Sequence, residues 1–388
     1  MDFLLSQEQT MLVDAAADIA KDFGPEYWRE KDKNHEFPED FWKTLVNAGF
    51  TGITIPEDYG GGGMGMFELT LAMETLTSKG CGLAGMWLLV LSPVFGGLSL
   101  MKHGNASQKE KYLPQISNGM EFCLALTEAD AGTNTLNTRT MAVKKGNEYV
   151  INGQKMFISG ADRAKGMVLV TRTTPQEKVS KRTMGLTLFV VDLPNPAIEI
   201  VPIEKHGINY SKTFEVYIND LTVSEEDMLG EVDKGWYLVL DTLNPERMSF
   251  SAGACGLGLL AIEKAVEYAK ERKIFRTPIG AHQAVQFPLA DAKARIESAR
   301  LLNYKAAWLY DRGDPCGAEA NMAKVAAVEA GTEAVYHAMQ AFGGYGYAVE
   351  YDVERWWREV NLIRLAPVTQ QMALAFIGEH VLGLPKSY

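Results

Sequence analysis

Apolar and polar positions follow two rhythms along this chain, helical toward both ends and strand-like in the middle. Near the N-terminus, Met11, Leu12, Ala15, Ala16, Ile19 and Phe23 recur at helical intervals, and Ser6 with Gln9 has the spacing of a capping box that would open the helix. Pro38-Glu39 predicts a second helix that stops at Gly49, because proline suits a first helical position and glycine the position past the end. Two more helices are expected, from about Phe67 and from about Leu83.

From Phe122 the pattern changes to short apolar runs separated by turn residues: 122–126, 149–157, 167–171, 186–191, 198–201 and 214–218. Asn152-Gly153 inside the second run predicts a type I′ hairpin turn, since both residues tolerate positive φ. The polar stretch 174–183, with Lys178, Lys181 and Arg182, reads as an exposed loop. After Gly235 helical spacing returns over 236–272, 285–312, 318–341 and 369–382, which predicts an antiparallel bundle. The three parts are 1–120, 121–234 and 235–388, an α+β chain with its sheet between two helical domains.

Composition narrows the function classes. The 388 residues are 47% hydrophobic, enough for a full core, and the formal charge of −11 is spread without any basic tail or stripe. That argues against nucleic acid or an anionic membrane as main partner. The N-terminus lacks a cationic start and apolar run, and no apolar stretch is expected to reach the ~20 residues of a membrane span, so a cytoplasmic location is expected. Cys81, Cys123, Cys255 and Cys316 are far apart, and His206, His282 and His337 lack ligand-like spacing; neither a metal site nor a disulfide framework is indicated.

Several motifs have a functional and a plain reading. Gly60-Gly61-Gly62-Gly63-Met64-Gly65 satisfies Gly-x-Gly-x-x-Gly, but no βαβ unit surrounds it, so a flexible loop is expected. The run Thr127-Glu128-Ala129-Asp130-Ala131-Gly132-Thr133-Asn134 follows a predicted strand and is either an ordinary turn or a ligand cradle. Gln340, Gly343, Gly344 and Gly346 punctuate a helix end, which suits a cap or close approach to a phosphate. Asn244-Pro245-Glu246-Arg247 reads as a helix start, with Glu246 at the positive end of the dipole.

These segments occur in the order and spacing used by the acyl-CoA dehydrogenase family, which the chain resembles over nearly its whole length. The resemblance rests on Leu126-Thr127-Glu128 to Asn134, on Asn152-Gly153-Gln154-Lys155-Met156-Phe157-Ile158-Ser159 and on Asn244-Pro245-Glu246-Arg247. It extends to Glu271-Arg272-Lys273-Ile274-Phe275, Met339-Gln340-Ala341-Phe342-Gly343-Gly344 and the tail Gly383 to Tyr388. It implies a helical N-terminal domain, a middle β-barrel domain and a C-terminal four-helix bundle, assembled as a homotetramer with bound FAD. By position, Leu126, Thr127, Thr133, Phe157 and Ser159 match residues that line the flavin and pyrophosphate. Arg272, Phe275, Gln340, Gly343 and Gly344 match segments offered to a neighbouring subunit's FAD, and Thr369 and Gln371 match a helix that closes the flavin site.

The departures from the family pattern carry information. Many members place the catalytic glutamate two residues before a threonine, where this chain has Pro367 ahead of Thr369, and proline cannot take a proton. A smaller set, resembling the isovaleryl and long-chain dehydrogenases, carries it on the first long C-terminal helix before an arginine, which Glu246-Arg247 matches. Ala129-Asp130 replaces Pro-Gly, Phe157 takes a tryptophan place and Arg276 a glycine. The implied reaction is α,β-desaturation of an acyl-CoA: Glu246 takes the α-proton, a backbone N–H of the base and a ribityl hydroxyl hold the thioester oxygen, and Arg247 orients substrate or CoA. Electrons then pass to an electron-transferring flavoprotein. The absence of Arg or Lys in 83–99 suggests a neutral acyl tail, whereas Phe23 to Trp28 and Asn244 to Arg247 resemble dehydrogenases of branched or aryl-substituted acyl-CoAs, including the benzylsuccinyl-CoA type. A flavin monooxygenase or oxidase on the same architecture, or a silent binding protein, are the competing readings.

Overall fold

The computed structural model describes residues 4–386. Among the described residues, seven α-helices precede the sheet: α1 (Gln7–Asp22), α2 (Pro25–Asn34), α3 (Glu39–Asn47), α4 (Met66–Leu76), α5 (Ala84–Leu89), α6 (Ser99–His103) and α7 (Ala106–Ser117). Ser6 and Gln9 form the expected capping box on α1, and Pro38 is the N-cap of α3. Of these, α2 and α7 carry no sequence prediction: each is short, and α2 is rich in charge.

The glycine run is not a loose loop. A Cβ on Gly61 would fall 2.0 Å from the Ile55 carbonyl oxygen, and Gly60 and Gly63 take positive φ. Its last residue caps α4, whose first amides, Met66 and Phe67, donate to the Asp311 carboxylate at 2.6 and 2.8 Å. With a carboxylate on that helix end, no phosphate is held there.

The middle domain is one eight-stranded sheet, β1 (Phe122–Ala125), β2 (Met141–Lys145), β3 (Glu148–Ser159), β4 (Gly166–Arg172), β5 (Leu186–Asp192), β6 (Ile198–Pro202), β7 (Thr213–Ser224) and β8 (Met228–Leu229). Its order is β6-β7-β3-β2-β4-β5-β8, with β1 parallel to β4; among the described residues the outermost strands β6 and β8 do not pair. The expected turn at Asn152-Gly153 is absent, because both residues lie inside β3. Asn152 faces a bulge in β7, exchanging side-chain bonds with Asp220 at 3.0 and 2.9 Å, and a Cβ on Gly153 would strike Thr140 at 2.5 Å. The hairpin turns instead at Gly146-Asn147, with Gly146 at φ 64°.

The C-terminal bundle comprises α8 (Gly235–Glu271), α9 (Gln283–Asp311), α10 (Gly317–Phe342), α11 (Val353–Leu365) and α12 (Gln370–Phe376). A small hairpin, β9 (Lys273–Ile274) and β10 (Thr277–Pro278), follows α8. Small residues let α8 and α10 approach closely: a Cβ on Gly331 would lie 2.4 Å from the Ala254 carbonyl oxygen.

Two stretches are long and apolar enough to cross a membrane by length and composition, Ala84–His103 and Gly235–Glu271, or three if the bent pair Val353–Leu365 and Gln370–Val381 is one span. The first corrects the expectation that no apolar run reaches such a length. Its apolar window is 94% buried against the rest of the fold and that of the second is 78% buried, so this surface is already used in the core.

Candidate active site

Asn244 to Arg247 do not start a helix, contrary to the sequence expectation. They lie inside α8, with Pro245 as an internal proline. Two serines rejoin the local backbone: Ser249 Oγ donates to the Pro245 carbonyl at 2.9 Å and Ser251 Oγ to that of Arg247 at 2.8 Å. The Glu246 amide therefore lies mid-helix, one residue after Pro245, and Pro367 has no N–H to offer a thioester oxygen.

Thr242, Glu246 and Phe250 are spaced four apart and share one face of α8. That face meets the apolar stretch between α5 and α6: Thr242 Oγ1 lies 3.0 Å from Ser99 Oγ, and Phe250 packs edge-on against Trp87 with ring centres 5.9 Å apart. The Trp87 indole N–H is fixed by Ser211 Oγ at 3.0 Å. Glu246 is therefore set against Val90–Leu98, a buried π-helical segment with no ionisable side chain.

Glu246 is buried and Oε2 has no hydrogen-bond partner. Loss of hydration pushes its carboxyl up to about 8, against the smaller opposing pull of Arg247 and Lys324. Arg247 is buried beside it; Nη1 donates to Asn244 Oδ1 at 3.0 Å, while Nε is unpartnered. Burial lowers its guanidinium to about 10, still charged at neutral pH. Four glutamates are buried among the described residues. Glu74 is held by Arg300 and Tyr304, Glu128 by Lys155, and Glu359 by Arg355 and the Leu83 amide; only Glu246 makes no hydrogen bond.

A second group of predicted residues gathers where β1 leaves the sheet beside the end of β3. Lys155, wholly buried, donates to the Leu126 carbonyl at 3.0 Å and to Glu128 at 2.8 Å, and Glu128 also accepts from the Arg139 and Thr140 amides at 2.7 and 3.0 Å. This pins the loop that carries Leu126 and Thr127, and the Met156 amide reaches the Thr127 carbonyl at 2.8 Å. A bulge after Lys155 puts Met156 and Phe157 opposite Glu215 alone, with Phe157 at φ 59° and 62% exposed. A bulky side chain in the left-handed region costs roughly 1 kcal/mol or more, and here it turns an aromatic ring out of the sheet. Ser159 Oγ lies 3.1 Å from Thr213 Oγ1, and Thr133 is exposed. Thr369 is the N-cap of α12, accepting from the Met372 amide at 3.3 Å; Gln371 is exposed, while Gln370 is the buried neighbour that bonds Glu329. Val368, Leu126 and Leu243 pack in one cluster, which joins this group to the Glu246 turn of α8.

The third group is not brought to the other two. Arg272 is 26 residues beyond Glu246 on and just past α8, about 39 Å at 1.5 Å per residue. There Arg272, Gly343 and Gly344 line a cavity of ≈ 520 Å³ with Tyr268, and Gln340 is exposed nearby. Phe275 is 92% exposed on the two-residue loop of the β9–β10 hairpin, where it and Arg276 both take positive φ, the geometry of a type I′ turn. A Cβ on Gly343 or Gly344 would meet nothing within 4 Å.

These features fit a flavin nucleotide. An aromatic ring presented by strain, a pinned turn with exposed hydroxyl and amide groups, and open glycine backbone beside an arginine suit its ring and its pyrophosphate. Sequence reading missed Lys324, which is buried next to this site on α10; a lysine on an alanine-rich helix face was the available signal.

Comparison with known proteins agrees in extent and order. Residues 6–120, 123–221 and 233–382 match the N-terminal, middle and C-terminal domains of acyl-CoA dehydrogenases. The chain is 39% identical over 389 residues to acyl-CoA dehydrogenase FadE12 of Mycobacterium tuberculosis, covering 100% of this chain and 99% of that protein. It is 34% identical to the caffeyl-CoA reductase-Etf complex subunit CarC of Acetobacterium woodii, covering 95% and 96%. Among solved structures, butyryl-CoA dehydrogenase from Megasphaera elsdenii superposes with a TM-score of 0.93 at 32% identity, over 98% of this chain and 100% of that one.

Proposed function

This chain belongs to the acyl-CoA dehydrogenase family and is an FAD-dependent oxidoreductase acting on a CH–CH bond of acyl-CoA, and we propose that Glu246 is the base of that reaction. The observation that carries the assignment is its lack of any partner: a carboxyl only 6% exposed, with no hydrogen bond, is placed at a cost that structure alone does not repay.

A thioester acidifies the hydrogen on its α-carbon but not enough for spontaneous loss. The Glu246 carboxylate takes that proton, and its raised affinity for protons, set by burial, makes it a stronger base than an exposed carboxylate. The apolar Val90–Leu98 segment keeps water from competing. Arg247, with Nε unpartnered, orients the thioester or the CoA portion. Bound FAD supplies the acceptor for the β-hydrogen with its electron pair, so that the two C–H bonds broken leave one C=C bond. Leu126, Thr127, Thr133, Phe157, Ser159, Thr369 and Gln371 hold the flavin from this chain.

Arg272, Phe275, Gln340, Gly343 and Gly344 serve the FAD of a second copy, within a homotetramer. The separation of about 39 Å from Glu246 supports this, as does the exposure of Phe275. The electrons pass to an electron-transferring flavoprotein, and the acyl group is neutral and branched or aryl-substituted. A segment opposite Glu246 without a cation supports neutrality, and likeness to a protein named for caffeyl-CoA and Etf supports the rest.

Anaerobic titration of the holoenzyme with a panel of acyl-CoAs tests the substrate reading. Flavin absorbance should bleach with neutral branched or aryl acyl-CoAs and much less with acyl groups ending in a free carboxylate. The opposite preference would remove the substrate assignment while leaving Glu246 in place.

A further inference from the structure

Lys324 has no part in the reading above, yet it is 0% exposed. It lies on α10, whose close approach to α8 fixes a register. The Ala254 carbonyl meets Gly331, and a Cβ on Gly258 would lie between Gly331 and Ala334, at 3.1 and 3.3 Å, so these contacts join residues of α8 to ones 73 to 77 positions later. Lys324 stands 78 positions after Glu246. Two helices running the same way in that register, carried back about two turns, bring Lys324 opposite Glu246.

There Lys324 donates to the Val368 carbonyl, and Val368 immediately precedes Thr369, the cap of α12. The other charges near Glu246 are few. Arg247 is on its own helix with Nη1 turned to Asn244, and Cys316, at the start of α10, faces Arg247 with its thiol kept neutral by burial. The Val90–Leu98 segment and the 366–370 turn carry no ionisable side chain.

We propose that Lys324 is the positioning residue of this site: it ties the Val368-Thr369 turn to α10 and presents its ammonium across the helix interface to the Glu246 carboxylate. This rests on Glu246 as the base. A cation facing a carboxylate favours the ionised form; burial and the neighbouring Arg247 lower the Lys324 ammonium to about 8, so it is mostly charged at neutral pH and limits how far burial raises Glu246.

The test is an infrared pH titration of resting holoenzyme, following the carboxyl band that disappears in Glu246→Gln, together with the acid limb of kcat/KM and the dissociation constant for FAD. Lys324→Met should move the carboxyl midpoint and the acid limb up by about one pH unit and weaken FAD binding by roughly tenfold; Lys324→Arg should restore the midpoint. Midpoints unchanged in folded, FAD-loaded Lys324→Met would overturn the proposal. If that variant does not fold, Lys324→Gln decides by the same criterion. Should Glu246→Gln retain turnover while Lys324→Met still shifts the carboxyl band, the base assignment falls and the electrostatic coupling stands.

Discussion

Two regions of α8, the turn around Glu246 and the C-terminal end at Arg272, treat charge in opposite ways. Around Glu246 the helix is sealed, with ionisable groups held out of water and two polar atoms, Glu246 Oε2 and Arg247 Nε, left without partners. Around Arg272 the surface is open: Phe275 stands in solvent, and Gly343 and Gly344 have free space beside their backbone. The sealed end carries an electrostatic cost that only a substrate can offset, and the open end an apolar exposure that only another surface can cover. On the proposed reading, one chain completes the chemistry at one place and lends binding groups at the other.

The largest expected effect is at the sealed end. Glu246→Gln keeps the shape and should retain FAD, yet turnover should fall at least ~100-fold, the scale of general-base removal. Steady-state rates with a flavin spectrum of the same sample check this. Near wild-type turnover would dissolve the contrast, since the buried end would then have no function to explain its cost.

The open end is tested by mixing. Gly344→Leu has room in the isolated chain, so it should fold normally but lose FAD affinity by roughly tenfold or more. Refolding it with an equal amount of Glu246→Gln forms mixed pairs in which one of the two sites has an intact base and an intact neighbour. Activity should recover to about a quarter of wild type under random pairing. No recovery would place both ends in service of a flavin in the same chain, which the length of α8 makes hard to satisfy.

A smaller effect separates cost from function at Glu246 itself. Burial raises its proton affinity, so the folded state binds more protons than the unfolded chain between the ordinary carboxyl range and about 8. Stability from this group is therefore present at low pH and lost as pH rises through about 8, while activity, with Glu246 as the proposed base, should rise through the same window. Glu246→Gln should unfold at the same temperature as wild type near pH 5 and roughly 2 °C or more higher near pH 9. Thermal scans at the two pH values measure the difference, and equal shifts at both would mean that burial does not oppose ionisation here.

Local signals were legible where one short-range rule acts alone. Ser6 with Gln9 opens α1 by two reciprocal hydrogen bonds, and the strand runs near 167–171 and 186–191 are apolar because both faces are covered. Reading failed where tertiary contacts override the local preference. Asn152-Gly153 has the chemistry of a turn, but the β7 bulge and Thr140 use it inside a strand. Pro245 looks like a helix start, yet packing carries α8 ten residues further back. Lys324 left only a weak signal, a lysine on an alanine-rich helix face, because what it meets depends on a helix register that sequence spacing does not reveal. The order of the site segments, by contrast, was legible as a family resemblance before any geometry was known.

Arg276 gives the mildest probe of the open end. The chain turns between β9 and β10 through Phe275 and Arg276 at φ 48° and 70°, a loop normally made with asparagine and glycine. A non-glycine residue there costs about 1 kcal/mol, which Arg276→Gly should return as added stability. If the strain is incidental, FAD affinity in the assembled protein stays at the wild-type value while the unfolding temperature rises slightly. If the guanidinium is what the strain is retained for, stability still rises but FAD binding weakens, by no more than a few-fold for one exposed charged contact. A titration of the apoprotein with FAD at two salt concentrations distinguishes the two, because a contact made through charge loses its advantage as salt screens it. The second outcome would give the open end a functional cost of its own, smaller than that of the sealed end and expressed in backbone strain in place of a desolvated charge.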